Sequence, residues 1–171
     1  SEFGFPVTCV DLDKAKIDSL NAGKLPIYEP GLDRLMEENR SRLTFTTDLE
    51  TAVSGSDVIF IAVGTPSRRG DGEADLKYVY EAARQIARAM KPNTVIVLKS
   101  TVVVGTSAAV EQIIAEERPG VAFSLASNPE FLREGSAIED FMRPDRVVVG
   151  VTDEHAKSVM QELYRPLYLR D

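Results

Sequence analysis

The stretch "DVIFIAV", residues 57–63, decides the fold. A strand with one wet face alternates apolar and polar side chains, so an unbroken apolar run predicts a strand buried on both faces. "TVIVL", residues 94–98, reads the same way. Between the two, Leu76, Val79, Ala83, Ile86, Ala87 and Met90 fall on one face of a helix that Asp75 can cap. Strand, helix and buried strand in that order predict an α/β fold, a parallel sheet of the Rossmann-like, doubly wound kind with helices on both faces.

Working outward, "LTFTT" (43–47), "VAFSLAS" (121–127) and "RVVVG" (146–150) read as further strands, and "FPVTCVDLD" (5–13) holds another from Val7 to Asp11. Helical spacing marks Ile17 and Leu20 in a short helix closed by Gly23, then Leu32, Leu35 and Met36, then Ala109, Val110, Ile113 and Ile114. A closing helix is expected from about Asp153 to Tyr164. No repeat, low-complexity tract or linker interrupts the pattern, so residues 1–171 read as one domain.

Composition narrows the function classes. A chain of 171 residues with 43% apolar residues can bury a substantial core. No 18-residue apolar run occurs, and the amino terminus has neither a basic region nor a long apolar stretch, so neither a membrane helix nor a signal peptide is read and a cytoplasmic location is expected. A formal charge of -7 argues against a general nucleic-acid surface. The single cysteine, Cys9, excludes an internal disulfide, and no Cys/His cluster has metal-ligand spacing, so no metal is expected. Cys9 reads as a small buried core residue, and His155, at the start of the closing helix, as solvated or capping.

In parallel α/β sheets, ligands sit beyond the carboxyl ends of the strands. Asp11 ends its strand as the acid does in the second strand of a dinucleotide-binding unit, where the carboxylate accepts hydrogen bonds from an adenosine ribose. Such an acid follows a glycine-rich loop by about 20 residues, yet only ten residues precede Asp11. Either the acid is an ordinary surface residue, or the unit's first strand and glycine-rich loop are lacking. After "DVIFIAV" come Gly64, Thr65, Pro66 and Ser67: a glycine that admits close approach, two hydroxyls and a stiff turn, or else a flexible polar loop. After "TVIVL", Ser100 and Thr101 offer hydroxyls for a water or ligand oxygen, or for capping. After "VAFSLAS", Glu130 and Glu134 flank Phe131 and Leu132, where a partly apolar loop could raise a carboxyl pKa for general-base work; a solvated acid is the ordinary alternative. Arg69-Gly70-Asp71 spells an adhesion tripeptide by coincidence. Asp11, Gly64-Thr65, Thr101 and Glu130 are expected on one edge of the sheet.

Taken in order, "VTCVDLDKAKI", "LPIYEPGL", "DVIFIAVGTPS", "ADLKYV", "LKSTVVVGT", "SNPEFLREGSAIEDF" and "PDRVVVG" resemble the amino-terminal NAD-binding domain of the UDP-glucose 6-dehydrogenases over essentially the whole chain. The wider family includes GDP-mannose and UDP-N-acetylmannosamine dehydrogenases, and "PIYEPGL" favours the UDP-glucose branch. The resemblance implies oxidation of UDP-glucose to UDP-glucuronate, the C6 alcohol becoming a carboxylate through an aldehyde and an enzyme-bound thioester, with two hydrides passed to two NAD+. It implies that Asp11 binds the adenosine ribose with Lys16 nearby, that Val63, Gly64, Thr65, Pro66 and Ser67 line the path of NAD, and that Ser100, Thr101 and Val102 flank the nicotinamide. Thr101 would place a catalytic water and Glu130 would work with it. Glu130, Phe131, Leu132, Arg133 and Glu134 would contact the nucleotide sugar, with Glu134 also approaching the cofactor.

The same resemblance implies that a strand and glycine-rich loop precede "SEFGF" in the family, and that Ser1–Phe3 is native sequence from the end of the first helix. A catalytic cysteine, a lysine and most uridine contacts would come from a second domain beyond residue 171, and the full protein would be a homodimer. Cys9 cannot replace that cysteine, since its neighbours Thr8 and Val10 bring no positive charge. The fragment alone is therefore expected to be inactive and to bind NAD weakly. The alternatives are the GDP-mannose or UDP-N-acetylmannosamine branch, another nucleotide-dependent dehydrogenase, which "NPEFLREG" and "IYEPGL" argue against, or a noncatalytic Rossmann-like scaffold.

Overall fold

The computed structural model describes residues 1–66, 74–100 and 103–169. In chain order the elements are β1 (Val7–Val10), α1 (Lys14–Asn21), α2 (Leu32–Glu38), a 3-10 turn (Arg40–Arg42), β2 (Leu43–Thr46), α3 (Leu49–Ser54), β3 (Val58–Ile61), α4 (Lys77–Ala89), β4 (Thr94–Leu98), α5 (Thr106–Glu117), β5 (Phe123–Ser127), α6 (Ala137–Met142), β6 (Gly150–Val151) and α7 (Glu154–Tyr168). They gather into two compact units: a smaller one of Ser1–Ala52, Phe131–Arg146 and Leu163–Asp171, and a larger one of Val53–Glu130 and Val147–Glu162.

The larger unit is built on the apolar runs. β3, β4 and β5 pair in parallel, and β6 adds to β5 antiparallel. Every residue of β4 is buried, as a strand covered on both faces requires. On α4 the predicted stripe is real: Val79, Ala83, Ile86 and Ala87 are all buried. Val110 and Ile114 of α5 complete the layer, and the helices α4 and α5 pack together. The carbonyls at the end of α4 would lack intrahelical partners; the Arg118 guanidinium donates to Ala87 and Arg88 at 3.1 Å and more distantly to Met90. The N-cap of α4 is Leu76, without a side-chain capping bond; Asp75, expected to cap, stands one residue earlier and accepts the Lys77 N–H through Oδ1 at 3.0 Å.

One strand differs from the reading. Of "RVVVG", only Gly150 enters a strand, and that strand runs against its neighbour. The reason is local: continuing the register Ser127↔Gly150 would set Val148 opposite Pro129, which has no N–H to give the ladder, and the Asn128 side-chain amide donates to the Val148 carbonyl at 2.9 Å instead.

In the smaller unit β1 and β2 pair in parallel from Val7↔Leu43 to Val10↔Thr46. Neither strand has a fully buried residue. Cys9 is half-buried, not a core residue, because the cover on this pair is partial. Burial still pushes the Cys9 thiol above its usual range, which opposes thiolate chemistry. Polar contacts carry much of the order: buried Asn39 donates to Glu2 at 2.8 Å and accepts from Arg42 at 2.8 Å. Phe3 stacks on Phe141 with centroids 5.6 Å apart, and Phe141 meets Tyr164 at 6.5 Å.

Candidate functional site

Within the larger unit, parallel register brings three strand ends to one edge. Ile61 pairs with Leu98 and Leu98 with Ser127, so the segments that follow leave the sheet side by side. The Lys99 amide donates back to the Ile61 carbonyl at 2.9 Å, and the Ser100 hydroxyl donates to the Val63 carbonyl at 2.7 Å. The next tip is joined in turn: the Asn128 amide donates to the Leu98 carbonyl at 2.9 Å, and the Asn128 Oδ1 accepts from Lys99 Nζ at 3.3 Å. Desolvation lowers the Lys99 pKa, while the nearby Glu130 charge acts to raise it. Glu130 itself is exposed, so the apolar enclosure expected around it is not supplied by the described residues.

The segment from Val63 to Pro66 is held at both ends, at Val63 by Ser100 and at Pro66, whose carbonyl accepts the Asp75 N–H at 2.7 Å. Thr65 lies half-buried between them. Gly64 does not occupy the left-handed region, and a Cβ built on it meets no described protein atom within 4 Å. Neither backbone strain nor internal packing accounts for this glycine, which leaves room for a ligand to lie against the chain. Ser67, Thr101 and Val102, and the Arg69-Gly70-Asp71 tripeptide, lie outside the described residues.

In the smaller unit, Asp11 follows β1 and its carboxylate is organised from two sides. Lys16 pairs with Oδ2, and the Asp13 N–H donates to Oδ1 at 3.0 Å. The Lys16 hydrogen bond first, and the Asp13 N–H second, hold this carboxyl below its ordinary range. Lone pairs stay accessible on a group that remains partly exposed, as acceptance of ribose hydroxyls requires.

The loop after Glu130 keeps apolar groups in water: Phe131 is 68% exposed and Leu132 38%. Its fixed points are polar. Arg133 donates through its backbone N–H to Asp140 Oδ2 at 2.9 Å, and its guanidinium meets both oxygens at 3.0 and 2.7 Å. These contacts, the side-chain bond first, pull the Asp140 carboxyl down to about 2. At the far end of the loop, the two Glu29 oxygens accept the Gly135 N–H at 2.9 Å and the Ala137 N–H at 2.8 Å. Glu134 is exposed between these anchors. Sequence reasoning passed over Glu29, Asn128 and Asp140. An Asn directly after a buried strand is a turn signal that could have drawn notice to Asn128; Glu29 gave none.

The family model for the NAD-binding domain of the UDP-glucose/GDP-mannose dehydrogenase family matches residues 1–168. The chain belongs to that family. A UDP-glucose 6-dehydrogenase from Rhizobium meliloti is 60% identical over 173 residues, a match that spans 99% of this chain and 40% of the relative. Among solved structures, a UDP-glucose dehydrogenase from Pyrobaculum islandicum superposes with a TM-score of 0.92 at 45% identity, over 97% of this chain and 40% of that one. A GDP-mannose dehydrogenase from Pseudomonas aeruginosa, solved as a ternary complex, gives 0.89 at 41%, over 95% and 39%. The fold is thus the α/β, Rossmann-like NAD-binding domain of the family, and the chain spans about two fifths of the length of these relatives.

The matched family model is that of an NAD-binding domain, and each unit by itself offers a feature suited to such a cofactor: in the smaller, an ionised acid at the β1 tip, and in the larger, Gly64, over which no described atom lies within 4 Å of an added Cβ. Among the described residues no group of His, Cys, Asp and Glu could hold a metal ion, and no helix is long and apolar enough to cross a membrane.

Proposed function

We propose that this chain is the cofactor-binding part of an NAD-dependent UDP-glucose 6-dehydrogenase, oxidising the C6 alcohol of UDP-glucose to the carboxylate of UDP-glucuronate. NAD+ supplies the hydride acceptor, twice per product. The observation that carries the reading is the family match across residues 1–168 together with a strand edge whose tips are tied to one another by Ser100, Lys99 and Asn128.

In this reading Asp11 orients the cofactor by accepting from the adenosine ribose, and Lys16 keeps that acid charged and aimed. Val63, Gly64, Thr65, Pro66 and Ser67 line the cofactor's path, with Ser100, Thr101 and Val102 beside the nicotinamide. Thr101 holds a water, and Glu130 exchanges a proton with it. The exposed Phe131 and Leu132, with Arg133 and Glu134, receive the nucleotide sugar. The reaction needs a nucleophile; Cys9, half-buried and held as the thiol, is unsuited to it, so we assign that role to a second, sugar-binding domain of the full-length protein, which we take to be a cytoplasmic homodimer.

The test is an assay of the full-length protein with NAD+ against UDP-glucose, UDP-N-acetylmannosamine and GDP-mannose. Two NADH per UDP-glucose, and little from the others, is the expected result; turnover of GDP-mannose alone would move the chain to that branch, and no turnover of any sugar would favour the scaffold. Glu130→Gln should lower kcat by about 10²–10⁴-fold, the usual worth of a positioned acid or base.

A further inference from the structure

We propose that Glu29 is a positioning residue for nucleotide-sugar binding, acting on the loop 131–136 from a distant part of the sequence; this rests on the reading of that loop as the sugar-contacting segment.

Glu29 lies 106 and 108 positions from its two partners, yet both of its oxygens are used. The donors are the backbone amides of Gly135 and Ala137, which open α6. Ser136 stands at the N-cap of that helix but makes no side-chain capping bond, so a remote carboxylate does the work that a local hydroxyl does elsewhere. Gly135 adopts a φ of +80°, which turns the chain sharply just before the helix. Two bonds from one rigid carboxylate fix the orientation of that turn as well as its position.

Packing around the turn is incomplete: an open groove of about 280 Å³ borders the junction, lined by Glu29, Pro30, Gly135, Ser136, Ile138 and Met142 among others. Gly31 takes a φ of +82° as the chain turns after Glu29, and an added Cβ there would sit at ordinary contact distance, 3.8 Å, from Ile138 Cδ1 of α6. At the opposite end of the loop, Asp140 grips the Arg133 backbone and guanidinium. Phe131 and Leu132 therefore extend from a strap fastened by carboxylates at Arg133 and at Gly135–Ala137. This also explains in physical terms why "IYEPGL" and "NPEFLREG" occur in one chain: the acid of the first fastens the glycine of the second.

The geometry ranks substitutions. Glu29→Gln keeps the size but offers a single acceptor oxygen, and Glu29→Ala offers none. In the full-length protein, Glu29→Gln should raise KM for UDP-glucose by about tenfold, the scale of one lost charge-assisted hydrogen bond, and Glu29→Ala by more. KM for NAD+ should rise clearly less than KM for UDP-glucose, since of this loop only Glu134 is read as approaching the cofactor. Amide hydrogen exchange at Gly135 and Ala137 should speed up in both variants. An unchanged KM for UDP-glucose in Glu29→Gln, or equal rises for both substrates, would overturn the proposal. Leu132→Ala separates the two layers of argument: if it raises KM for UDP-glucose while Glu29→Gln does not, only the positioning role fails, and if Leu132→Ala leaves that KM unchanged, the loop reading fails and the proposal with it.

Discussion

The two units hold themselves together by different means. In the larger, β4 is buried at every residue and Val79, Ala83, Val110 and Ile114 have no accessible surface. In the smaller, the buried residues among those described are few, namely Ile17, Met36, Asn39 and Tyr164, and distant segments are connected through Glu29, Asn39 and Arg42, while Asp140 closes the local turn back to Arg133. Apolar burial is non-directional and tolerates small shifts, whereas hydrogen bonds to carboxylates fix distance and angle. The larger unit thus holds a firm sheet edge, and the smaller holds loops set by polar fastening.

The contrast can be broken at its strongest point first. Ile96→Ala in β4 should cost about 2–5 kcal/mol, the range for emptying a close-packed core site. Val10→Ala in β1 should cost about 1 kcal/mol, as for an ordinary partly exposed position. Denaturant melts of both variants check this, and equal losses would show that the two sheets share one degree of burial in solution. Native-state hydrogen exchange offers a parallel check, with residues 94–98 protected well beyond 7–10.

Next in size is Asn128→Ala, which leaves the Val148 carbonyl and the Lys99 ammonium without their partner. A loss of about 0.5–1.5 kcal/mol is expected from the lost hydrogen bonds, since Val148 is 41% exposed and both bonds are only part-buried. A loss under half a unit of that scale would mean that water replaces the side chain.

Smaller still is Lys16→Met. Both members of the Lys16–Asp11 pair are substantially exposed, at 43% and 35%, so stability should change by only ~0–1 kcal/mol. The Asp11 carboxyl pKa should rise towards its ordinary value, seen by carboxyl-resolved NMR titration; no rise would mean that the Asp13 N–H alone sets it.

The subtlest expectation concerns acid. Asp140 has a folded pKa of about 2 against an ordinary 3.8, so its contribution is complete above the ordinary value and fades as pH falls through the folded one. The Arg133 grip should therefore survive to about pH 3 and loosen near pH 2. A titration midpoint close to 4 for Asp140 would show that the grip is open in solution.

How far the sequence alone reached follows from the same contrast. Buried parallel strands leave a continuous apolar signature, which is why β3, β4 and β5 were legible, and why the rule placing ligands beyond strand ends led to Gly64, Ser100 and Glu130. The helices α3 and α6 have six residues each, too few for periodicity to register. They depend on caps: Asp48 accepts the Thr51 N–H at 3.0 Å, and Glu29 holds the start of α6. "RVVVG" misled because an apolar run does not say whether its carbonyls will find a ladder or a side chain. Glu29 was invisible for a related reason, since nothing near it in sequence reveals a partner more than a hundred residues away.

Gly64 carries a last consequence. Because a methyl group there would meet no described neighbour, a library of variants sorted for expression and melting temperature should accept alanine or serine at this position as readily as glycine. Sorted instead for turnover in the full-length enzyme, the same library should discard them. The positions at which two such selections disagree would mark residues kept for turnover and not for folding, and the proposed cofactor path expects Gly64 among them.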